Sequence, residues 1–210
     1  MTIRVVLADD HELVRLGLKS LFEGSDVEVI GEATTGEETL QKIEELQPDI
    51  AIVDVRMPGQ DGLRVLNQVR EQFPNVEVVM MSAYDNPTYV ARSVALEAAA
   101  FFSKTASREK ILDILHRVSA GENAWTRDEL RRVTGALTTP RVATDIEVPL
   151  THRESQVLEQ LAMGLTNKEI ARTLKISYET VKEHVQHILR KIGVTDRTQA
   201  AVWAVRKGLV

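Results

Sequence analysis

In the first half of this 210-residue sequence, side chains able to bind ions or attack an electrophile follow four short apolar runs. Carboxylates suit a hard divalent cation, whereas a hydroxyl and an ammonium group suit an anion. With the cation bound, one carboxylate remains available as a nucleophile towards phosphorus, and the other groups stabilise the charge on the phosphoryl oxygens. The set therefore predicts phosphoryl transfer to Asp54, within a site made of Asp9, Asp10, Asp54, Ser82 and Lys104.

The surrounding sequence alternates between strand-like and helical patterns. Five apolar or β-branched runs have the length of strands that are covered on both faces, and helical periodicity fills the gaps between them. This alternation predicts an α/β domain with a parallel five-stranded sheet of the flavodoxin-like (βα)5 kind. The carboxyl ends of parallel strands meet at one edge of a sheet, which brings the chemical groups together. The predicted strands are Ile3–Ala8, Val27–Ile30, Ile50–Val53, Val76–Met81 and Ala99–Phe102.

Charge divides the chain into an acidic and a basic part. Residues 1–120 contain 12 basic and 20 acidic side chains, whereas residues 149–210 contain 10 basic and 6 acidic ones. Between them, residues 121–148 carry glycine, proline and paired threonines, which indicates an interdomain linker that is partly helical, with a helix between Trp125 and Leu137. We expect two domains, and only the second is expected to face a polyanion.

From residue 150 onward the pattern is all-α, with helices expected to begin near residues 152, 167, 178 and 197. Three of these starts have the spacing of a capping box, in which an N-cap side chain and the residue three positions later satisfy each other's backbone amides. Ser177 is a fourth cap without a box. The tight connection between the second and third helices predicts a helix-turn-helix. The three boxes are Thr151 with Glu154, Thr166 with Glu169, and Asp196 with Gln199.

Composition excludes several classes of site and protein. The sequence contains no cysteine, which removes disulfides, thiolate metal sites and cysteine nucleophiles. No apolar stretch approaches the length that crosses a bilayer, and the first residues are unlike a signal peptide. We expect a cytoplasmic protein without a membrane partner.

The segments LADDHELVR, DIAIVDVRMPGQDGL, VVMMSAY and AAAFFSK resemble the receiver domain of two-component response regulators. The resemblance implies that a sensor histidine kinase phosphorylates Asp54, and that Mg²⁺ binds Asp9, Asp10, Asp54 and the backbone carbonyl of Arg56. It gives the protein no catalytic residue and no turnover of its own beyond slow self-dephosphorylation.

The same resemblance implies a switch. Ser82 and Lys104 would contact the phosphoryl group, and Phe101 matches the aromatic residue that swings inward when Ser82 moves. Many relatives carry tyrosine at that position, and phenylalanine cannot make the phenolic hydrogen bond. A packing switch is then possible here, and an ordinary strand aromatic is the alternative for Phe101.

The segment from residue 150 is similar to the LuxR-type helix-turn-helix of the NarL/FixJ family. The resemblance implies that the third helix enters the major groove of double-stranded DNA. It also implies that phosphorylation either exposes the recognition helix or forms a homodimer. The dimer would pair through the last helix, with Ala201, Val202, Trp203 and Val205, and an ordinary packing role accounts for the same residues. Solvation of a surface helix, or a protein partner, accounts for the same charges. The candidate DNA contacts are Lys182, Glu183, Gln186, Thr180, His184, Arg190, Asn167, Lys168 and Tyr178.

Two other functions compete with a phosphorylated transcription regulator. A phosphohydrolase of the haloacid-dehalogenase kind needs a general acid two residues after the nucleophile, and Arg56 occupies that position. A constitutive DNA-binding protein with a vestigial receiver would have no use for the full acidic set. The kinase, the operator and the direction of regulation are not encoded in any of these patterns.

Overall fold

A five-stranded parallel sheet forms in the first part of the chain, as the sequence predicts. The computed structural model describes residues 2–59, 61–84, 86–122, 124–126, 129–130 and 150–209. The strand order is β2-β1-β3-β4-β5 and every neighbouring pair is parallel, which confirms the flavodoxin-like topology. The strands are β1 (Ile3–Ala8), β2 (Val27–Ala33), β3 (Ile50–Asp54), β4 (Glu77–Ser82) and β5 (Ala100–Ser103).

Helices follow the strands, and apolar side chains of both kinds of element form the core. On one face of the sheet, alternate strand residues such as Leu7, Ile52 and Met81 pack with Phe22 of α1 and Leu115 of α5. Helices α2 and α3 contact strands of the same sheet, and Ile43 and Leu66 of these helices are buried. The helices are α1 (Glu12–Phe22), α2 (Gly36–Leu46), α3 (Gly62–Gln72), α4 (Pro87–Ala95) and α5 (Arg108–Ser119).

The chain divides into two units. The first contains Met1–Asp85 with Leu96–Thr126, and the second contains Asn86–Ala95 with Arg127–Val210. In the sequence, helix α4 lies between β4 and β5 of the sheet. Its contacts nevertheless group it with the second unit. Within that unit, the side-chain amide of Asn86 donates a hydrogen bond to the carbonyl of Gly164 over 3.2 Å.

Four helices lie between residues 150 and 209, with the starts that the sequence predicts. Their apolar side chains form one core, in which Leu161, Ile170, Val181 and Ile188 are fully buried. A non-glycine residue, Lys175, takes a left-handed conformation with φ of 53° in the turn between the second and third of them. The helices are α6 (His152–Ala162), α7 (Asn167–Leu174), α8 (Tyr178–Ile192) and α9 (Arg197–Arg206).

The predicted caps of these helices are present, with one correction. The boxes at Thr151 and Thr166 are both reciprocal, and Ser177 accepts the amide of Thr180. Asp196 does cap α9, but the box predicted there is wrong, because the Gln199 side chain accepts instead from the backbone amide of Thr195. Gln199 thus reaches one residue beyond the N-cap.

Most of the predicted linker lies outside the described residues. Of the helix expected between Trp125 and Leu137, only residues 125–126 and 129–130 are described, and the latter two are helical. In the first unit, Ala124 is buried in the sheet core and the indole of Trp125 donates a hydrogen bond of 3.0 Å to the carbonyl of Ala98. The start of the linker is thereby attached to the entrance of β5.

Candidate functional site

The carboxyl ends of β1, β3 and β5 bring three charged side chains into contact. The ammonium of Lys104 lies 2.7 Å from an oxygen of Asp54 and 2.7 Å from an oxygen of Asp9. The ammonium donates a hydrogen bond to Asp54. Both carboxylates are buried, and only 12% of the Lys104 side chain is exposed. One ammonium therefore serves two carboxylates that water reaches poorly.

This arrangement moves the pKa values of both members of the Asp54–Lys104 pair upward. Burial raises the pKa of Asp54 to about 6, and the Asp9 charge adds to the rise, although Lys104 and the Arg56 backbone oppose it. Burial acts to lower the pKa of Lys104, but its contacts with Asp54 and Asp9 prevail and the net pKa is raised. Without a further cation, the site holds more negative charge than its lysine neutralises.

The loop after β1 adds two more ligand atoms to this edge. The Asp10 side chain is 29% exposed, and the His11 Nδ1 lies 2.7 Å from an Asp10 oxygen and 3.3 Å from Asp9 Oδ1. The Arg15 guanidinium donates to the backbone carbonyl of Asp9 over 2.8 Å and to Glu32 over 3.0 Å, which fixes the loop. Sequence reasoning missed Arg15, because its partner Glu32 lies on a neighbouring strand and no local spacing connects them.

The cluster of Asp9, Asp10 and His11 has the donors that a divalent cation needs. Their ligand atoms lie within 4.8 Å of one another. The Asp9 Oδ2 atom is buried, and its partner is the Lys104 ammonium at 2.7 Å. A cavity of about 400 Å³ opens beside the cluster and is also lined by Asp54 and Arg56. The residues present therefore fit Mg²⁺, which takes oxygen ligands and keeps several waters.

A glycine fixes the backbone at the end of β3. Gly62 begins α3, and a Cβ atom there would collide with the carbonyl oxygen of Asp54. Its amide donates to the carbonyl of Val55 over 3.0 Å, and Asp61 caps the helix through the amide of Leu63. The first turn of α3 thus packs directly on the residue that carries the carboxylate.

The remaining candidates of the first unit lie at the ends of β4 and β5. Ser82 is buried, and its hydroxyl accepts the backbone amide of Tyr84 over 3.1 Å. Phe101 is buried in β5 opposite Met80 of β4. The guanidinium of Arg56 lies 5.3 Å from the centre of the Tyr84 ring, and both residues line the cavity. This cation–π pair forms part of the rim around Asp54.

Most candidate DNA contacts lie on the solvent face of α8. Val181, Ile188 and Ile192 are buried on its core face. The opposite face leaves polar side chains exposed, while Thr180 and His184 are half-buried at its edges. On α7, Lys168 is exposed, whereas the Asn167 side chain is half-buried with an oxygen that accepts no hydrogen bond from the described residues. The exposed candidates of α8 are Tyr178, Lys182, Glu183, Gln186 and Arg190.

An ion pair with a buried carboxylate joins α6 and α8. The Glu154 carboxylate closes the capping box of α6 and lies 2.6 Å from the ammonium of Lys191 on α8. The hydrogen bond from Lys191 is the largest cause of a fall in the pKa of Glu154 to about 2, and Thr151 contributes to it. On α9, Ala201 and Val202 are buried, and Trp203 and Val205 remain partly exposed.

Two family models match the chain, each within one part of it. Residues 5–116 match the response regulator receiver domain, and residues 148–204 match the bacterial regulatory proteins of the luxR family. The chain belongs to the response regulator family. It is a response regulator with a LuxR-type DNA-binding domain, and hence a transcription regulator. A receiver domain takes its phosphoryl group from a histidine kinase, so a kinase and DNA are its two classes of partner.

Individual relatives agree with this assignment of the response regulator. It is 35% identical to the response regulator protein VraR of Staphylococcus aureus, with all of both chains covered. It is similar to the solved response regulator ChrA of a heme-sensing two-component system, with 30% identity, a TM-score of 0.56 and coverage of 100% and 99% of the two chains. The receiver domain of NarL from Mycobacterium tuberculosis matches 58% of this chain and 98% of its own, with 36% identity and a TM-score of 0.55.

None of the helices in the described part of this response regulator is long and apolar enough to cross a membrane.

Proposed function

We propose that a histidine kinase phosphorylates this response regulator on Asp54 and that phosphorylation controls how it binds DNA. The observation that carries this proposal is the contact of Asp54 with Lys104 beside a second buried carboxylate, Asp9. A structural ion pair needs one acid for one base, whereas this site has an excess of negative charge facing a cavity. The excess is what a cation and a phosphoryl group would use.

In the proposed step, an Asp54 oxygen attacks the phosphorus of a phosphohistidine. A bond from oxygen to phosphorus forms while the bond from phosphorus to the donor nitrogen breaks, and the nitrogen retains the electron pair. Lys104 is already in place to shift from the carboxylate to a phosphoryl oxygen, and the Ser82 hydroxyl can donate to another. Mg²⁺, when bound, neutralises charge on the phosphoryl oxygens, and Asp9, Asp10, Asp54 and the carbonyl of Arg56 are its proposed ligands.

We further propose that the reaction stops at the acyl phosphate. The haloacid-dehalogenase alternative needs a carboxylic acid where Arg56 stands, and its guanidinium is instead placed over the Tyr84 ring. Arginine cannot act as the general acid at neutral pH. The protein is therefore proposed not to be an enzyme. We also propose that it is located in the cytoplasm. Its proposed domains are a receiver in residues 1–120, a linker in 121–148 and a DNA-binding domain in 149–210.

The proposed output combines Phe101, α8 and α9. Phe101 would transmit the movement of Ser82 through packing alone, since it has no hydroxyl. Lys182, Gln186 and Glu183 would meet base edges, and the other candidates on α7 and α8 would position the phosphate backbone. The exposed parts of Trp203 and Val205 on α9 would pair with a second copy, which gives a two-fold dimer on two half-sites.

Labelling with acetyl phosphate and Mg²⁺ tests the acceptor. We expect stoichiometric labelling that is lost in Asp54→Asn and kept in Asp113→Asn, a matched acid-to-amide change on the exposed face of α5. Continuous release of phosphate would favour the hydrolase instead. Absence of label in the native protein would favour a constitutive DNA-binding protein.

A mobility-shift assay on the same samples tests the output. Labelled protein should bind its DNA more tightly than unlabelled protein, and Asp54→Asn should abolish the difference. Lys182→Ala should weaken binding to the specific site by about 1 to 3 kcal/mol if the lysine reads a base. An equal loss on unrelated sequences would assign Lys182 to the phosphate backbone.

A further inference from the structure

Trp125 is attached to the receiver although it lies at the start of the linker. Its indole nitrogen, Nε1, donates a hydrogen bond of 3.0 Å to the carbonyl of Ala98, 27 residues earlier in the chain. The preceding residue, Ala124, is 2% exposed and belongs to the core of the sheet. A polar contact and an apolar contact therefore hold the first residues of the linker on the receiver.

The end of α5 gives this segment a fixed starting point. Gly121 has a φ of 74°, and its amide donates to the carbonyl of Val118 over 2.9 Å. The amide of Glu122 donates to the carbonyl of Arg117 over 2.8 Å. These bonds close the last turn of the helix in the manner of a glycine C-cap, so the chain leaves α5 in a defined direction.

The carbonyl that accepts the indole bond lies beside a strained residue. Glu97 has a φ of 59°, a left-handed conformation that residues with a side chain rarely adopt, and its side chain is 80% exposed. Ala98 follows directly and is buried. Such a conformation persists only where the surroundings impose it, and it is common in switch regions. The connection between α4 and β5 is thus a strained segment, and Trp125 is one of the residues that hold it.

Strand β5 joins this segment to the phosphorylation site. It is the last strand of the sheet and pairs along one side with β4. Phe101 lies three residues after Ala98, and Lys104, which contacts Asp54, lies six residues after it. At about 3.3 Å per residue, Ala98 and Lys104 are about 20 Å apart along the strand. Movement of a single edge strand therefore connects the phosphoryl site with the indole bond.

The same hydrogen bond lies beside two of the points at which the chain passes from one unit to the other. The chain enters the first unit at Leu96, two residues before Ala98, and leaves it after Thr126, one residue beyond Trp125. Helix α4 precedes the first of these points, and the linker follows the second. A displacement of Ala98 therefore reaches both connections at once.

We propose that Trp125 is a positioning residue that couples the state of β5 to the linker. In the unphosphorylated protein the indole holds the linker on Ala98. Rearrangement around phosphorylated Asp54 shifts β5, breaks this hydrogen bond and releases the linker. The coupling deepens the proposed function and rests on it, because it assigns a route by which phosphorylation reaches the DNA-binding domain.

The fluorescence of Trp125 tests the response itself. The sequence contains two tryptophans, so Trp203→Phe leaves Trp125 as the only indole. Labelling of this full-length variant with acetyl phosphate and Mg²⁺ should move the emission to longer wavelength, because the released indole is exposed to water. Asp54→Asn in the same background should show no such change. Stoichiometric labelling with unchanged emission would overturn the coupling, and absence of labelling would overturn the proposed function together with it.

A mobility-shift assay tests the consequence for DNA binding. Trp125→Phe keeps an aromatic ring and removes the hydrogen-bond donor. We expect its labelling to stay within about twofold of the native protein, while the gain in DNA affinity on labelling falls from about fivefold or more to less than about twofold. Glu122→Gln, an exposed substitution at the same end of α5 that leaves the indole bond in place, is the matched control and should keep the full gain.

Each other outcome contradicts the coupling in a distinct way. A full gain in Trp125→Phe would assign Trp125 to packing alone, and reduced labelling would mean that the indole positions the phosphoryl site. An equal loss in Glu122→Gln would make any change at the start of the linker sufficient. No gain in the native protein, with an emission change that depends on Asp54, would overturn the proposed control of DNA binding and support the movement of Trp125.

Discussion

Two carboxylate–lysine pairs in this response regulator have similar geometry and opposite electrostatics. Asp54 lies 2.7 Å from Lys104, and Glu154 lies 2.6 Å from Lys191, with both carboxylates buried. The pKa of Asp54 is raised to about 6 because burial dominates, whereas the pKa of Glu154 is lowered to about 2 because the hydrogen bond from its lysine dominates. A short distance to a lysine therefore does not by itself show that a carboxylate is satisfied.

The difference lies in what else surrounds each acid. Lys104 is shared with Asp9 and only 12% exposed, while Lys191 serves Glu154 and remains 36% exposed. Glu154 also accepts from the backbone and hydroxyl of Thr151, three residues away. The charges of Glu154 and Lys191 balance, whereas the Asp54–Lys104 pair has a second buried carboxylate, Asp9, beside it and keeps an excess of negative charge.

The largest effect on phosphorylation and stability is expected at Gly62, where the first turn of α3 packs on the backbone of Asp54. Gly62→Ala places a methyl group against the Asp54 carbonyl, so we expect loss of most labelling and about 3 kcal/mol of unfolding free energy. Urea unfolding and acetyl phosphate labelling measure the two effects. Gly17→Ala, on the open face of α1, should be neutral or slightly stabilising. Full labelling of Gly62→Ala would show that the close contact is dispensable.

The second largest effect is expected from replacing the lysine of each pair, and the two losses of stability should differ. Lys104→Met leaves two buried carboxylates, and we expect a loss of about 2 kcal/mol at neutral pH, limited because a carboxyl group can take up a proton. Mg²⁺ should recover part of the loss. Lys191→Met should cost about 1 kcal/mol, since that lysine is partly exposed, and Mg²⁺ should not affect it. Equal losses with no Mg²⁺ effect, measured by urea unfolding, would make both pairs structural.

The raised pKa of Asp54 sets a pH range for cation binding. Because the carboxyl group is protonated below about pH 6, Mg²⁺ affinity should fall roughly tenfold per pH unit under that value and level off above it. Calorimetry between pH 5 and pH 8 measures this. An affinity that stays constant from pH 5 to pH 7 would place the pKa of Asp54 near its ordinary value.

The smallest effect concerns the depressed pKa of Glu154. A carboxyl group whose pKa is lower in the folded state stabilises the fold above its unfolded value of 4.5, and that stability is lost as the pH falls through about 2. Glu154→Gln should therefore cost about 1 kcal/mol at pH 7 and progressively less below pH 4.5. Thermal unfolding from pH 7 to pH 3 checks this, with the exposed Glu179→Gln as control. A difference that is independent of pH would contradict it.

The sequence predicts those features that depend on local spacing or on strand ends. The capping box of Glu154 needs only Thr151 three residues earlier, and the cluster of Asp9, Asp54 and Lys104 follows from where parallel strands finish. Neither rule shows that Lys191 reaches Glu154 across 37 residues, or that Arg15 holds the Asp9 carbonyl. These partners depend on how side chains of separate elements meet, which periodicity does not specify.

The packing of α4 shows the same limit. Its buried residues include Tyr89, Val90 and Arg92, a mixed set with no obvious destination in the sequence. The structure groups this helix with the C-terminal unit, where Asn86 bonds to Gly164 and a Cβ on that glycine would strike the ring of Tyr89. Because α4 lies between two strands in the sequence, the pattern indicates a crossover helix. The pattern does not indicate the hydrogen bond between Asn86 and Gly164.

The division of α8 into a buried and an exposed face affects how the protein can evolve. Lys182, Glu183 and Gln186 take no part in the core that Val181 and Ile188 help to form. Substitutions at such surface positions usually change stability by no more than about 0.5 kcal/mol. A duplicated copy of this gene could therefore exchange the exposed residues and acquire new target sequences, while the helix itself and the receiver domain stayed intact.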